Sequence, residues 1–245
     1  RPSNLRFLTM KTFQLLKPLP ICRDEETHKY LNKETNEWLA YSTTEVCNEL
    51  TEEAKENIER YRYIWQPRGE KVHECLAESM LGSTDIDMGD YEEIVAPLLD
   101  HWLFANFEPL AIEHMMSIPD KSVGGQLDLL GYDICPITSK KTLRLIDLKT
   151  KGNTRTGFYK RENDKAGRIW VKEIDKYWQE PYSTDKQLGC YLEMLKLNYG
   201  IVPDVCNTLW AYPGFSILGH NQPVERCQTA WQEAWKNFEA KQELF

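Results

Sequence analysis

No apolar run in this chain approaches the roughly 20 residues that a membrane-spanning helix needs, so a membrane partner is not expected. The chain opens on Arg1-Pro2-Ser3, without an initiator Met or a secretory h-region, and reads as trimmed or processed, with any targeting segment out of view. It also lacks the cysteine spacing of a disulfide framework or a zinc ribbon. The seven cysteines (Cys22, Cys47, Cys75, Cys135, Cys190, Cys206, Cys227) are odd in number, scattered, and include no C-x-x-C pair. They read as reduced, mostly buried small hydrophobes of an intracellular protein, and no iron–sulfur cluster is expected from them. Internal repeats and low-complexity tracts are absent. Net positive charge is missing too: the balance of −8 argues, at the level of composition, against a nucleic-acid partner.

What is present reads as a globular protein. Hydrophobic residues at 41% and charged residues at 28% exclude disorder as the main state, and 245 residues suffice to bury one core with decorations. The acidic balance is uneven. Between residues 149 and 176 stand Lys149, Lys151, Arg155, Lys160, Arg161, Lys165, Arg168, Lys172 and Lys176 against Glu162, Asp164, Glu173 and Asp175. A local basic strip of this kind is compatible with DNA binding, because the field at the groove matters more than the total.

Periodicity organises the rest. Residues 1–40 show no sustained pattern, and Lys17-Pro18-Leu19-Pro20 reads as an extended connector. Ser42-Thr43-Thr44-Glu45 offers capping residues before a helical stretch through Val46, Leu50, Ala54, Ile58 and Tyr61. A second helix is predicted over 69–81, with Val72, Leu76 and Met80 on one stripe, and a third over 90–107, started or bent by Pro97. Strands follow at 108–117, 124–134 and 142–149, the last apolar on both faces like a central strand. Helical spacing returns at 185–198, a hairpin is expected from 207–212 and 215–220, and 223–245 closes with Trp231, Trp235 and Phe238 on one stripe. Helices, then strands, then helix predict an α/β fold: a central mixed β-sheet flanked by helices, with N-terminal helical additions. We divide the chain into an N-terminal extension and helical segment (1–60) and a core (61–245) carrying a basic and aromatic insertion at about 150–184.

Within Leu143-Arg144-Leu145-Ile146-Asp147-Leu148-Lys149, Asp147 and Lys149 emerge on one face where an apolar strand ends. Alone, such a D-x-K reads as an ion pair closing a strand. Gly124-Gly125-Gln126-Leu127-Asp128-Leu129-Leu130-Gly131 adds a carboxylate inside a second apolar strand, a costly place for a charge unless something compensates it. A hard cation would do so. Asp128 and Asp147, with a backbone carbonyl such as that of Leu148 and water, form the oxygen shell that Mg²⁺ prefers, with Mn²⁺ as substitute. Such an ion can polarise a phosphodiester oxygen, while Lys149 orients the nucleophile or steadies developing charge.

In order along the chain come Gly69-Glu70-Lys71-Val72-His73, Glu113 in Leu110-Ala111-Ile112-Glu113, Gly125-Gln126-Leu127-Asp128, Asp147-Leu148-Lys149 and Gln187-Leu188-Gly189-Cys190-Tyr191. This series resembles the RecB-like exonuclease branch of the PD-(D/E)XK nuclease superfamily, which also holds mitochondrial and phage exonucleases, and it spans about residues 69–195. Leu127 stands where many relatives carry proline. The resemblance implies a restriction-endonuclease-like core in which Asp128 and Asp147 bind metal, Lys149 serves catalysis and His73 is a further ligand. Glu113 would hold a second ion or a ligated water, with Glu108 as its rival, and Gln187 and Tyr191 would brace the site or touch the DNA backbone.

In the insertion, Lys151, Arg155, Phe158, Tyr159, Lys160, Arg161, Arg168 and Trp170 interleave cations with rings, a composition suited to single-stranded DNA. A solvated loop whose rings pack on the domain is the other reading. The expected activity is Mg²⁺-dependent deoxyribonuclease action on single-stranded ends, in DNA repair, recombination or replication. The expected setting is a bacterial or phage-infected cytoplasm, or an organelle after removal of a targeting peptide. Two alternatives stay open: a structure-specific or restriction-type endonuclease on the same core, and an inactive DNA-binding module.

Overall fold

The computed structural model describes residues 14–25, 27–48, 50–152, 161–163, 169–171 and 180–243. The region without periodicity holds a small antiparallel sheet of β1 (Ile21–Arg23), β2 (Tyr30–Asn32) and β3 (Glu37–Trp38). Strands this short leave no room for a period of two to register in sequence. β4 (Tyr41–Ser42) leads into α1 (Thr43–Cys47), where Ser42 and Glu45 close the reciprocal capping box that the Ser-Thr-Thr-Glu run predicts. The stretch expected to continue to Tyr61 is divided. Asn48 is extended, and α2 (Glu52–Arg60) starts afresh under an N-cap at Thr51. Val46 of α1 is buried, whereas α2 buries no residue, so packing does not hold the two in one helix.

α3 (Arg62–Met80) begins earlier than predicted and carries Pro67 inside it, forgoing one backbone hydrogen bond. The third predicted helix breaks into a 3-10 turn at Gly89–Tyr91, α4 (Glu92–Leu99) and a second 3-10 turn at Trp102–Asn106. The break falls at His101, which is extended and accepts the Leu103 N–H on its ring.

The three central strands lie within a residue of their predicted ends: β5 (Phe107–Ile118), β6 (Val123–Ile134) and β7 (Lys141–Thr150). Short β8 (Arg161–Asn163) and β9 (Ile169–Val171) pair with each other inside the region read as a polar insertion. α5 (Asp185–Tyr199), the antiparallel hairpin of β10 (Val205–Tyr212) and β11 (Phe215–Leu218), and α6 (Val224–Gln242) complete the chain.

Six strands form the central sheet in the order β11-β10-β7-β6-β4, with β5 also pairing β6. β7 runs parallel to β10 and antiparallel to β6, so the sheet is mixed, as expected. Helices cover both faces. On one, Leu188, Leu192 and Leu195 of α5 and Trp231 of α6 meet Leu127, Leu130 and Leu145; on the other, Val72 and Leu76 of α3 and Val95 and Leu98 of α4 meet Leu129, Ile146 and Leu148. The predicted Trp231, Trp235 and Phe238 stripe packs on the first face, with Phe238 edge-on to Tyr41 at 4.8 Å. No described helix is long and apolar enough to cross a membrane, and all seven cysteines are free thiols.

Two strands break their own alternation at the same level. Leu127 belongs to the α5/α6 core, and Leu129, two residues on, to the α3/α4 core, so β6 changes faces at Asp128. On β5, Ile112 packs with α3/α4 and Met116 with α5/α6, and between them Glu113 has a positive φ of 45°. The paired strands therefore swap sides at two acidic residues.

Candidate functional site

The ladder between β6 and β7 runs from Ile134↔Lys141 to Leu129↔Ile146 and stops there. One residue further, the Asp128 side chain takes over: its Oδ2 accepts the Leu148 N–H at 2.6 Å. The sheet opens at this point. Glu113, flanked by the Ile112↔Leu129 and His114↔Leu127 pairs, stands across from Asp128. From α3, His73 reaches over both, with Nδ1 donating to Glu113 Oε1 at 3.0 Å and lying 3.4 Å from Asp128 Oδ1. Gln126 Nε2 donates to the other Glu113 oxygen at 2.5 Å. Ligand atoms of His73, Glu113 and Asp128 all lie within 4.8 Å of one another.

On the α5 side of the opening stands a second group. Asp147 is fully buried, and Lys149 Nζ donates to its Oδ1 at 3.0 Å while standing 2.8 Å from Oδ2. The same ammonium donates to Gln187 Oε1 at 3.1 Å, and Gln187 Nε2 donates to the Tyr191 hydroxyl at 2.9 Å. Spacing by four residues on α5 puts Gln187 and Tyr191 on one face, which makes this relay possible. Gly125 is needed beneath it: a Cβ there would collide with Thr43 Oγ1 and crowd the Tyr191 ring at 3.1 Å.

Charge is tightly balanced. Burial raises the Asp128 carboxyl, and Asp147 and Glu113 push it further up, while His73 pulls it down. Burial by itself would lower His73, but the Asp128 carboxylate and the hydrogen bond to Glu113 outweigh it and hold the imidazole at about 9. For Lys149, likewise, burial is outweighed by Asp147 and Asp128, which raise it and keep it cationic. Two carboxylates within 4.8 Å of each other repel by at least roughly 3 kcal/mol at an effective dielectric near 20, so a proton or a cation must sit with them. One imidazole nitrogen and carboxylate oxygens converging this closely fit a divalent cation, and Asp147 Oδ2, ion-paired with Lys149 but without an aligned hydrogen-bond donor among the described residues, adds a buried oxygen nearby.

The structure thus brings His73, Glu113, Asp128, Asp147, Lys149, Gln187 and Tyr191 to one opening in the sheet. Asp147 falls outside the three-residue cluster and holds Lys149, and the Leu148 N–H bonds to Asp128. Glu108, the rival of Glu113, is engaged elsewhere, accepting from Lys141 Nζ at 2.6 Å. Arg155, Phe158, Tyr159, Lys160 and Arg168 lie outside the described residues, and Arg161 and Trp170 are placed by backbone alone, on β8 and β9. Lys151 sits just past β7 with Nζ 4.3 Å from the Tyr182 ring centroid. Sequence reasoning gave no role to Gln126, although it stands inside the glycine-led motif two residues before Asp128. No protein-family model matches the chain, and no curated protein matches it.

Proposed function

We propose that this chain is a divalent-metal-dependent nuclease that hydrolyses DNA phosphodiesters, acting on single-stranded ends in DNA repair, recombination or replication, like the RecB-like PD-(D/E)XK exonucleases it resembles. The observation that carries this reading is the meeting of the His73, Glu113 and Asp128 cluster with the Lys149–Asp147 pair where β6 and β7 part. His73, Glu113 and Asp128 would hold the ion, Mg²⁺ or Mn²⁺, with Asp147 close behind. When bound, such an ion supplies Lewis acidity toward a phosphoryl oxygen and eases deprotonation of water.

The chain's own groups do the rest. Lys149 has three N–H donors, and among the described residues Asp147 and Gln187 take two, leaving one for a non-bridging phosphoryl oxygen or for the attacking water. Held cationic by two carboxylates, Lys149 acts as a charge-stabilising donor rather than as a base. Gln187 and Tyr191 fix its direction. Water attacks phosphorus, the P–O bond to the leaving nucleoside breaks, and that oxygen takes up a proton. Free thiols accord with an intracellular setting.

The test is cleavage of end-labelled linear and circular single-stranded DNA with Mg²⁺, Mn²⁺ or EDTA, using wild type, Asp128→Ala, Asp147→Ala and Lys149→Ala. Metal-dependent loss of the linear substrate alone, abolished in all three variants, is the expected result. Cleavage of the circle as well would make the enzyme an endonuclease on the same core. No cleavage under any metal would remove the catalytic reading and leave a DNA-binding module.

A further inference from the structure

Arg68 and Lys151 are two cations with no carboxylate paired to either among the described residues. Arg68 lies on α3 ahead of His73, half-buried, with its Nε enclosed and without a hydrogen-bond partner among the described residues. Its guanidinium lies against Gly152, where a Cβ would collide with it, and so stands beside Lys151 at the end of β7. Lys151 Nζ rests over the rings of Tyr182 at 4.3 Å and Trp210 at 5.3 Å, and no described carboxylate pairs with it. Burial lowers Lys151, and repulsion from Arg68 and Lys149 lowers it further. Burial likewise lowers Arg68. Half-burying like charges side by side, with no acid among the described residues to offset them, favours the arrival of an anion.

We infer that Arg68 and Lys151 form a phosphate subsite next to the metal-ligand cluster, gripping a phosphate group of the bound nucleic-acid strand. For the identity of the strand this rests on the nuclease reading. The chemistry suits phosphate: a planar guanidinium can hold two phosphate oxygens at once, and an ammonium on a rigid aromatic shelf adds a point charge. Lys149, two residues before Lys151, ties this pair to the acidic cluster, since its charge acts on both Lys151 and Asp128. A phosphate held here would therefore fix where the strand lies relative to the opening in the sheet. The carrier is either a terminal phosphate monoester or an internal phosphodiester.

Fluorescence-anisotropy binding in EDTA separates this subsite from catalysis, because no cleavage is required. The probes are single-stranded oligonucleotides with a 5′-phosphate, with a 3′-phosphate, or with hydroxyls at both ends, titrated with wild type, Arg68→Gln, Lys151→Gln and Arg68→Lys, each checked by thermal melting. Each Gln variant is expected to weaken binding about tenfold and to reduce the slope of log K against log salt by about 0.7. Arg68→Lys, which keeps the charge and loses the fork, should fall between and serves if Arg68→Gln does not fold. Loss confined to one phosphorylated end assigns the subsite to that terminal monoester, and equal loss on all probes assigns it to an internal phosphodiester. Wild-type affinity in the folded variants, or no binding by wild type, overturns the subsite. Phosphate-dependent binding without metal-dependent cleavage would sink the nuclease reading alone.

Discussion

Asp128 Oδ2 accepts the Leu148 N–H at 2.6 Å, so a side chain stands where the ladder between β6 and β7 would otherwise continue. Its other oxygen faces His73 at 3.4 Å. One carboxylate therefore holds the sheet open and supplies a ligand, and substitutions can separate the two tasks. Asp128→Asn keeps an acceptor for Leu148 and removes the charge; Asp128→Ala strands a buried N–H at a cost of roughly 1–3 kcal/mol. In urea denaturation of the metal-free protein at pH 8, Asn should be at least as stable as wild type and Ala clearly less. Metal-dependent cleavage should fall by roughly 100-fold or more in both. An alanine variant as stable as wild type would show that the Leu148 bond does not hold the opening.

Metal and proton compete at His73. Its folded value of about 9 exceeds the ordinary 6.5, so the protonated imidazole stabilises the metal-free fold fully below pH 6.5, and that stability is lost as pH rises through about 9. Burial raises Asp128 as well, and its contribution runs in the same direction, lost as pH rises. Metal-free melting temperatures should therefore drop between pH 6.5 and 9, while saturating Mn²⁺ should flatten or reverse the trend. Calorimetric titration of Mn²⁺ at pH 7.5 in two buffers of different ionisation enthalpy should count about one proton released. His73→Gln should abolish most of that release; unchanged proton release in this variant would remove His73 from the ligand set.

The strands were legible in the sequence because they are long and two-sided. In Leu143-Arg144-Leu145-Ile146 and Leu127-Asp128-Leu129-Leu130, apolar residues feed both cores, and ends were found to within a residue. Acidic residues inside such runs were equally readable, since burial of a charge needs a reason. What could not be read is how the elements meet. Gln126 bonds to Glu113 across the β5–β6 pair, and Arg68 meets Lys151 only because α3 crosses the end of β7 at Gly152. Neither contact has a sequence spacing. The break between α1 and α2 was hidden because a capping residue at Thr51 looks the same inside an amphipathic pattern as at its start. The pairing of Asp147 with Lys149 was legible, since a D-x-K at a strand end puts opposite charges on one face, whereas the full burial of Asp147 was not.

That pairing makes Lys149 a structural as well as a chemical residue. Asp147 is fully buried, and Lys149→Met would leave its carboxylate without a counter-ion, destabilising the fold by roughly 3 kcal/mol or more. Adding Asp147→Asn should recover most of that stability and none of the cleavage. Gln187→Ala, which only frees the ammonium to move, should lower kcat about tenfold with little change in melting temperature. If the double variant were no more stable than Lys149→Met, the pair would not be the source of the loss.

Glu113 sits at a φ of 45° in the middle of a strand, a conformation that costs a residue with a Cβ about 1–2 kcal/mol and glycine far less. The position is held by what its carboxylate does: it accepts from His73 and from Gln126 while facing Asp128. Alanine and glycine both delete the carboxylate, but only glycine also relieves the backbone, so comparing them isolates the strain. Glu113→Gly should be more stable than Glu113→Ala by about 1 kcal/mol in the metal-free protein, and both should lose most of the thermal stabilisation that Mn²⁺ gives wild type. Equal stability of the two would mean that β5 relaxes once the carboxylate is gone, and that the backbone turn is a consequence of the ligand cluster rather than a fixed part of the strand.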